Sequence, residues 1–341
     1  MKIYKKILPA FLVEWKQPLG YNKEVSLKFS TGVHSSFPSV HIFIKNCVLI
    51  SSEGVAFSTS EKLFRSTTRT IIPEINQGIL LTWLRNRIRN ISFCSNSLLL
   101  FDNWSGNYFH FWNDFMPRLF LTKDLFTEKS CTLLVDVSTL TIGMELFKQM
   151  GIARIKVVSK DELVFSNRIF YTNIITPNVG SFHADTLKAL KEYIFQLMKI
   201  DYSTDNKRIY ISRAKAAYRK VLNEDELLPI LLQYGFEIVH AETLSMFDQI
   251  RLFKDASVIL GLHGAGLSNM LFAKSTSLIL ELRYSGGVQN NLFYQLASCL
   301  EYSYSCFFSD VADGNDFQRA NITVDTSLFS TFLQKNISIL E

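Results

Sequence analysis

Apolar residues in this chain come in short runs, broken by polar turns, and the spacing of the runs changes along its length. In the first hundred residues, Val25–Phe29, Val40–Ile44, Val48–Ile50 and Ser97–Phe101 have the length and composition of strands. Met1–Trp15 is basic and then apolar. Its apolar part is short, contains Pro9 and is followed by no small-residue cleavage site, so it reads as a first strand rather than a signal peptide. Arg85, Arg87 and Arg89 read as a solvated helix face. From residue 133 the pattern alternates: Leu133–Val137 as strand, Gly143–Met150 as helix, Ile155–Val158 and Ile169–Thr172 as strands, and Asp185–Lys199 as a long helix. Alternation of this kind predicts an α/β lobe.

A polar break at residues 201–207 marks a boundary. Beyond it the alternation is clearer. Arg208–Ser212 is a strand. Asn223-Glu-Asp-Glu226 has the form of a capping box that starts a helix ending at Gly235, with Pro229 expected to kink or delay it. Phe236–Val239 is a strand, and Ser245 and Asp248 cap a helix with Met246, Phe247, Ile250 and Phe253 on one face. Val258–Leu262 is a strand, His263–Gly266 a tight turn, Leu267–Phe272 the start of a helix and Ser277–Leu282 a strand. This order implies parallel strands. The expected organisation is a β-rich N-terminal lobe over 1–204, an α/β lobe over 205–325, and a segment, 326–341, crossing back to the first lobe.

Composition narrows the function classes. The 341 residues are 48% hydrophobic and 20% charged, which is a globular balance. Thirty-six Lys and Arg against 31 acidic residues leave +5, suited to anionic ligands but too small a surplus to argue for nucleic acid. No apolar run reaches the ~18–20 residues of a membrane span, so any membrane association is expected to be peripheral. The five scattered cysteines lack C-x-x-C spacing, which reads as reduced thiols in a cytoplasmic protein. On that reading the N-x-S/T triplets at Asn90, Asn103, Asn321 and Asn336 are chance.

Three features carry candidate chemistry. Gly261-Leu-His-Gly-Ala-Gly266 sits where a strand meets a helix. Glycines there let the backbone approach a ligand, and open amides attract an anion. The same residues also fit a packing turn. Glu281, at the end of the next strand, is either a ribose-hydroxyl acceptor or an ordinary strand-end carboxylate. Arg213 and Arg219 follow the lobe's first strand, as phosphate forks or as surface ion pairs. No two aspartates stand two apart, so the common carboxylate arrangement for a magnesium–diphosphate site is missing and no metal is expected. In the first lobe, Asn107-Tyr-Phe-His-Phe-Trp-Asn-Asp-Phe-Met-Pro-Arg118 places His110 and Asp114 four apart, on one helix face. That pair is a general base with its orienting partner, or a buried histidine bonded within an aromatic core.

These residues resemble glycosyltransferase family 61, which includes bacterial capsular-polysaccharide enzymes and eukaryotic O-GlcNAc and xylosyl transferases. Two blocks carry the resemblance: NYFHFWNDFMPRL at 107–119, and the stretch from Ile211 to Leu282 containing SRAKAAYR, NEDEL and FKDASVILGLHGAGLSNMLF. Residues 1–100 and 285–341 carry little of it. The resemblance implies a GT-B architecture of two Rossmann-like lobes facing a central cleft, and an inverting, metal-independent transfer from a nucleotide-sugar, commonly a UDP-sugar. The acceptor would be a glycan or lipid-linked glycan of a bacterial capsule or surface polysaccharide. It also implies that Arg213, Arg219, His263, Gly264, Ala265, Gly266 and Glu281 meet the donor and that His110 and Asp114 face the cleft. Asp114 is then the expected base, with His110 orienting it; the reverse assignment stands beside it. The sequence leaves two rivals. One is a non-catalytic sugar-nucleotide-binding or assembly subunit. The other is a Rossmann-type oxidoreductase, whose G-x-G-x-x-G fingerprint is absent.

Overall fold

The computed structural model describes residues 2–14, 16–19, 34–37, 39–58, 61–64, 90–128, 130–173, 182–285, 291–312 and 319–338. The strand expected at Val25–Phe29 and the arginines 85, 87 and 89 lie outside them. The chain divides into two compact α/β units. Unit 1 comprises Met1–Leu12, Ser36–Asn178 and Asp185–Leu197, and unit 2 comprises Val13–Ser35, Val179–Ala184 and Met198–Glu341.

The strands of the first half are β1 (Lys2–Leu8), β2 (Phe11–Glu14), β3 (His34–Phe37), β4 (Val40–Ser51), β5 (Ala56–Ser58), β6 (Glu61–Phe64), β7 (Asn90–Leu99), β8 (Thr132–Val135), β9 (Ile155–Val157) and β10 (Glu162–Thr172). β2 and β3 pair with each other. The sheet of unit 1 runs β6-β5-β4-β10-β7-β8-β9, with β1 also paired to β4. It is mixed: β10, β7, β8 and β9 are parallel neighbours, and β4 lies antiparallel to β10. The two apolar runs at 40–44 and 48–50 form one strand, because the ladder to β10 continues across the polar residues between them. Cys47 joins the runs at φ +55, a left-handed conformation that a side-chain-bearing residue adopts rarely. β8 ends at Val135, and Asp136 caps the following helix, Val137–Gln149, by accepting from the Thr139 amide at 3.0 Å.

Unit 2 contains β11 (Lys207–Ile211), β12 (Phe236–Val239), β13 (Ala256–Leu262), β14 (Leu278–Tyr284), β15 (Ser303–Val311) and β16 (Ile322–Thr323), in the order β12-β11-β13-β14-β15-β16. All neighbours through β15 are parallel and β16 is antiparallel. Strands covered on both faces read as continuous apolar runs, and Ala256–Leu262 and Leu278–Leu282 are buried throughout except at Ser257. The Ser245 cap stands as expected, its Oγ accepting from the Asp248 amide at 3.1 Å.

Several expectations are corrected here. Asn223 closes no capping box. Its side chain clamps the backbone of Val324 instead, donating to the carbonyl at 2.9 Å and accepting from the amide at 3.0 Å. Pro229 does not delay its helix, which runs Glu224–Gln233 with the proline inside it. The helix Thr326–Ile337 belongs to unit 2. Its Phe329, Leu333 and Ile337 join the apolar core with Leu227, Leu231, Leu260 and Leu280. The start of the chain does not stay in one lobe. Leu19 donates its amide to the Tyr304 carbonyl at 2.6 Å, and Lys16 bonds Ser298 and the Glu301 carbonyl, so this segment lies on unit 2's own β15 and the helix Leu292–Cys299. No helix among the described residues is long and apolar enough to cross a membrane.

Candidate functional site

Parallel strands deliver their carboxyl ends to one edge of a sheet, where open α/β folds bind ligands. In unit 2, β11 ends at Ile211, β13 at Leu262 and β14 at Tyr284, and the candidate residues of this unit follow from those ends.

The turn after β13 is held by its first residue, His263, whose amide donates to the Leu282 carbonyl at 3.0 Å. Gly264, Ala265 and Gly266 then present three consecutive amides that bond no group among the described residues. The helix that follows, Ala265–Phe272, is a tight 3₁₀ helix that starts two residues ahead of the expected Leu267. Gly264 has an extended backbone, so its need for glycine is one of space: a Cβ there would lie 2.6 Å from the Arg213 guanidinium. That guanidinium cannot swing aside freely. Its Nε donates to the Arg219 carbonyl at 2.8 Å and its Nη2 to the Tyr218 carbonyl at 3.0 Å.

Arg219 reaches the same turn from its other side, donating from Nη1 to the His263 carbonyl at 3.2 Å. It holds φ +56, and its buried Nε has no hydrogen-bond partner among the described residues. Neither arginine forms an ion pair with a carboxylate among the described residues, so the surface ion-pair alternative does not describe them. Burial lowers the pKa of both guanidiniums, and the charge of Arg219 lowers that of Arg213 further. Glu242 offsets part of the Arg213 charge, but two guanidiniums held near each other with no carboxylate in ion-pair contact among the described residues favour an anion.

Glu281 is 0% exposed. One carboxylate oxygen meets His263 Nδ1, and the other accepts from the Tyr304 hydroxyl. Arg283 Nη1 stands 3.5 Å from that second oxygen, and Arg283 Nη2 donates to Asn291 Oδ1 at 3.1 Å. Burial pushes the Glu281 carboxyl up, but Arg283, His263 and the bonds from His263 and Tyr304 outweigh it and hold it below the usual carboxylate range. Tyr304 is raised well above the usual phenol by burial and by the Glu281 charge. Glu281 is thus a charged interior residue whose bonds go to protein, not an open acceptor at a strand end. The His263 side chain is 22% exposed, with its ring edge-on to Phe293 at 5.0 Å between centroids. Tyr304, Arg283 and Asn291 were not found from sequence. Among them only the i, i+2 spacing of Glu281 and Arg283 on one strand face was there to be read.

The motif of unit 1 forms one continuous helical stretch. Asn107 caps Tyr108–His110 by accepting from the Phe109 amide at 3.0 Å, a π-turn spans Phe111–Phe115, and Met116–Leu121 continues as α-helix. Pro117 accounts for the widening: it has no N–H for the preceding turn, and its ring crowds the carbonyl four residues back. Phe111 and Phe115 stack at 5.7 Å and pack on Phe147. Asp114 is 2% exposed, with Oδ1 3.6 Å from the Nε of Arg118, which is 0% exposed and also donates to the Asp114 carbonyl at 3.2 Å. The two terminal nitrogens of Arg118 make no hydrogen bond among the described residues. His110 is half-buried, its ring 5.6 Å from that of the exposed Trp104. The structure therefore puts the imidazole at the surface end of the motif and the carboxylate inside it. Among the described residues no group of three or more His, Cys, Asp or Glu is placed to hold a metal ion.

The model of the family Glycosyltransferase 61 matches residues 108–280, just over half of the 341-residue chain. The match begins in the π-turn helix of unit 1 and ends one residue before Glu281. The EGF domain-specific O-linked N-acetylglucosamine transferase of Drosophila melanogaster is 33% identical over 120 residues, covering 33% of this chain and 22% of that protein. Its namesake in Mus musculus is 25% identical over 204 residues, covering 52% of this chain and 38% of that protein. That of Gallus gallus is 28% identical over 123 residues, or 33% and 22%. The chain thus spans well under half the length of these curated relatives.

Proposed function

This chain belongs to glycosyltransferase family 61, and on that premise we propose that it moves a sugar from a UDP-sugar to an acceptor hydroxyl, with inversion and without a metal. The observation that carries this reading is the turn after β13, where two guanidiniums without an ion-paired carboxylate, three amides unengaged among the described residues and one imidazole meet. A diphosphate matches that set: guanidinium forks and open amides suit its oxygens, and the carboxylate nearest the turn, Glu281, is buried and spent on His263, Tyr304 and Arg283 rather than open to a bridging cation.

In an inverting displacement the bond from the anomeric carbon to the diphosphate breaks as the acceptor oxygen bonds from the opposite face. The negative charge growing on the diphosphate is met by Arg213, Arg219, His263 and the turn amides, all in place before reaction. The acceptor hydroxyl gives its proton to a base. We assign that role to His110, with Asp114 as the buried carboxylate behind it, because the imidazole is the more exposed of the two. The relatives' names make N-acetylglucosamine the first sugar and an EGF domain the first acceptor to test. A surface-polysaccharide glycan, as in capsule synthesis, is the competing arm of the same assay.

Calorimetry tests the donor site. UDP is expected to bind equally well with and without EDTA, and a more than tenfold loss of affinity on chelation would overturn the metal-free reading. Arg213→Ala is expected to lose roughly 1.5–3 kcal/mol of UDP binding, typical of a charged hydrogen bond. Unchanged affinity would remove Arg213 from the site. Donor binding without turnover on either acceptor class would instead identify a binding subunit.

A further inference from the structure

We propose that Tyr304 and Arg283 are positioning residues for His263: they hold the Glu281 carboxylate so that the ring proton stays on Nδ1 and Nε2 is the nitrogen offered to the donor. The assignment of Nε2 to the donor rests on the function proposed above, whereas the positioning itself does not.

The argument starts from burial. A carboxyl group removed from water tends to become neutral. A neutral Glu281 would carry an O–H and could donate to Nδ1, which would then become an acceptor, leaving the ring proton of a neutral imidazole on Nε2. An ionised Glu281 can only accept. The Nδ1–H must then donate to it, and Nε2 is left either as a lone pair or as a second N–H. Which state holds depends on what surrounds the carboxylate.

Three elements supply those surroundings. On β14, Arg283 lies two residues along the same strand face and brings a guanidinium within 3.5 Å of Oε2. On β15, Cys306 is the register partner of Glu281, so Tyr304 is its diagonal neighbour, and the Tyr304 hydroxyl donates to Oε2. Ahead of the helix Leu292–Cys299, Asn291 accepts from Arg283 Nη2 and fixes the guanidinium that faces the carboxylate. Arg283 Nη1 also lies 3.4 Å from the Tyr304 oxygen, so the three side chains form one connected set. Their combined effect keeps Glu281 charged despite its burial. With Nδ1 tied to this set and the ring edge against Phe293, the imidazole has little freedom to turn. Glu281, Arg283, Asn291 and Tyr304 all lie beyond residue 280, where the family match ends.

Nitrogen-15 NMR of the full chain, labelled at histidine, tests this, with His263→Asn identifying the ring signals. In the wild-type protein Nδ1 is expected to carry a strongly hydrogen-bonded proton. Tyr304→Phe keeps the ring that packs on Tyr294 at 5.5 Å and removes only the hydroxyl, so it is expected to fold. It should weaken that Nδ1 signal and lower kcat about tenfold, with UDP affinity changed less than about threefold. Arg283→Met should lose the Nδ1 proton, and Arg283→Lys, which keeps a cation, should restore much of it. His263 ring signals identical to wild type in both Tyr304→Phe and Arg283→Met would overturn the proposal, whatever happens to turnover. Altered ring signals in these variants, beside a wild-type chain that fails to bind UDP, would leave the positioning standing and remove the donor reading alone.

Discussion

Glu281→Ala is expected to destabilise unit 2 by about 3–5 kcal/mol, the usual result of deleting one partner of a buried ion pair. The loss comes from what stays behind: Arg283, 1% exposed, keeps its charge and loses the carboxylate that offsets it. Reading Glu281 as an open strand-end acceptor predicts an intact fold and weaker nucleotide binding. The buried network predicts a fall in melting temperature first. Replacing both groups, as Glu281→Met with Arg283→Met, should recover much of the stability, because no uncompensated charge remains, while the orientation of His263 stays lost. The pH dependence has a definite sign. The Glu281 carboxyl is held below its ordinary value, so its contribution is fully present at neutral pH and is lost as pH falls through the folded-state value. Melting curves across the acid range should therefore converge for wild type and Glu281→Ala. A shift under about 2 °C at neutral pH would show that Arg283 finds other compensation.

What was legible in the sequence is what local chemistry dictates. Val258–Leu262 and Ser277–Leu282 are apolar runs of strand length, and strands β13 and β14 lie there. Ser245 precedes a helix with one apolar face, and it caps that helix. Where the outcome depended on distant partners, the local reading failed. Asn223 has the composition of a cap, but Val324, about a hundred residues on, offers it two backbone bonds. Pro117 lies inside a motif that reads as an ordinary helix, yet it widens the preceding turn. Lys16–Leu19 carries no apolar period that would send it to unit 2; the Tyr304 and Glu301 carbonyls decide its place. The site divides in the same way. Arg213, Arg219 and the glycine turn are readable because they follow strand ends. The residues that fix His263 are not, because Tyr304 reaches it only through the pairing of β14 with β15.

His110→Ala is expected to reduce turnover by about 10²–10⁴, the range for removing a general base, while UDP affinity and melting temperature stay near wild type. A half-buried imidazole at the end of the motif can be truncated without opening the core. Asp114→Asn should behave differently. It removes the charge facing Arg118, a guanidinium with no exposure and with two nitrogens already unbonded among the described residues, so stability should fall by several kcal/mol. Turnover per folded molecule should fall less than in His110→Ala, because the proposed base is the imidazole and the carboxylate faces Arg118. Melting and single-turnover measurements on the same preparations separate the alternatives. An Asp114→Asn protein that melts like wild type and has lost transfer, beside a His110→Ala protein that retains it, would return the base to Asp114. Normal turnover in both would make the whole motif a packing element, its aromatic rows serving the core of unit 1 and its polar pair serving Arg118.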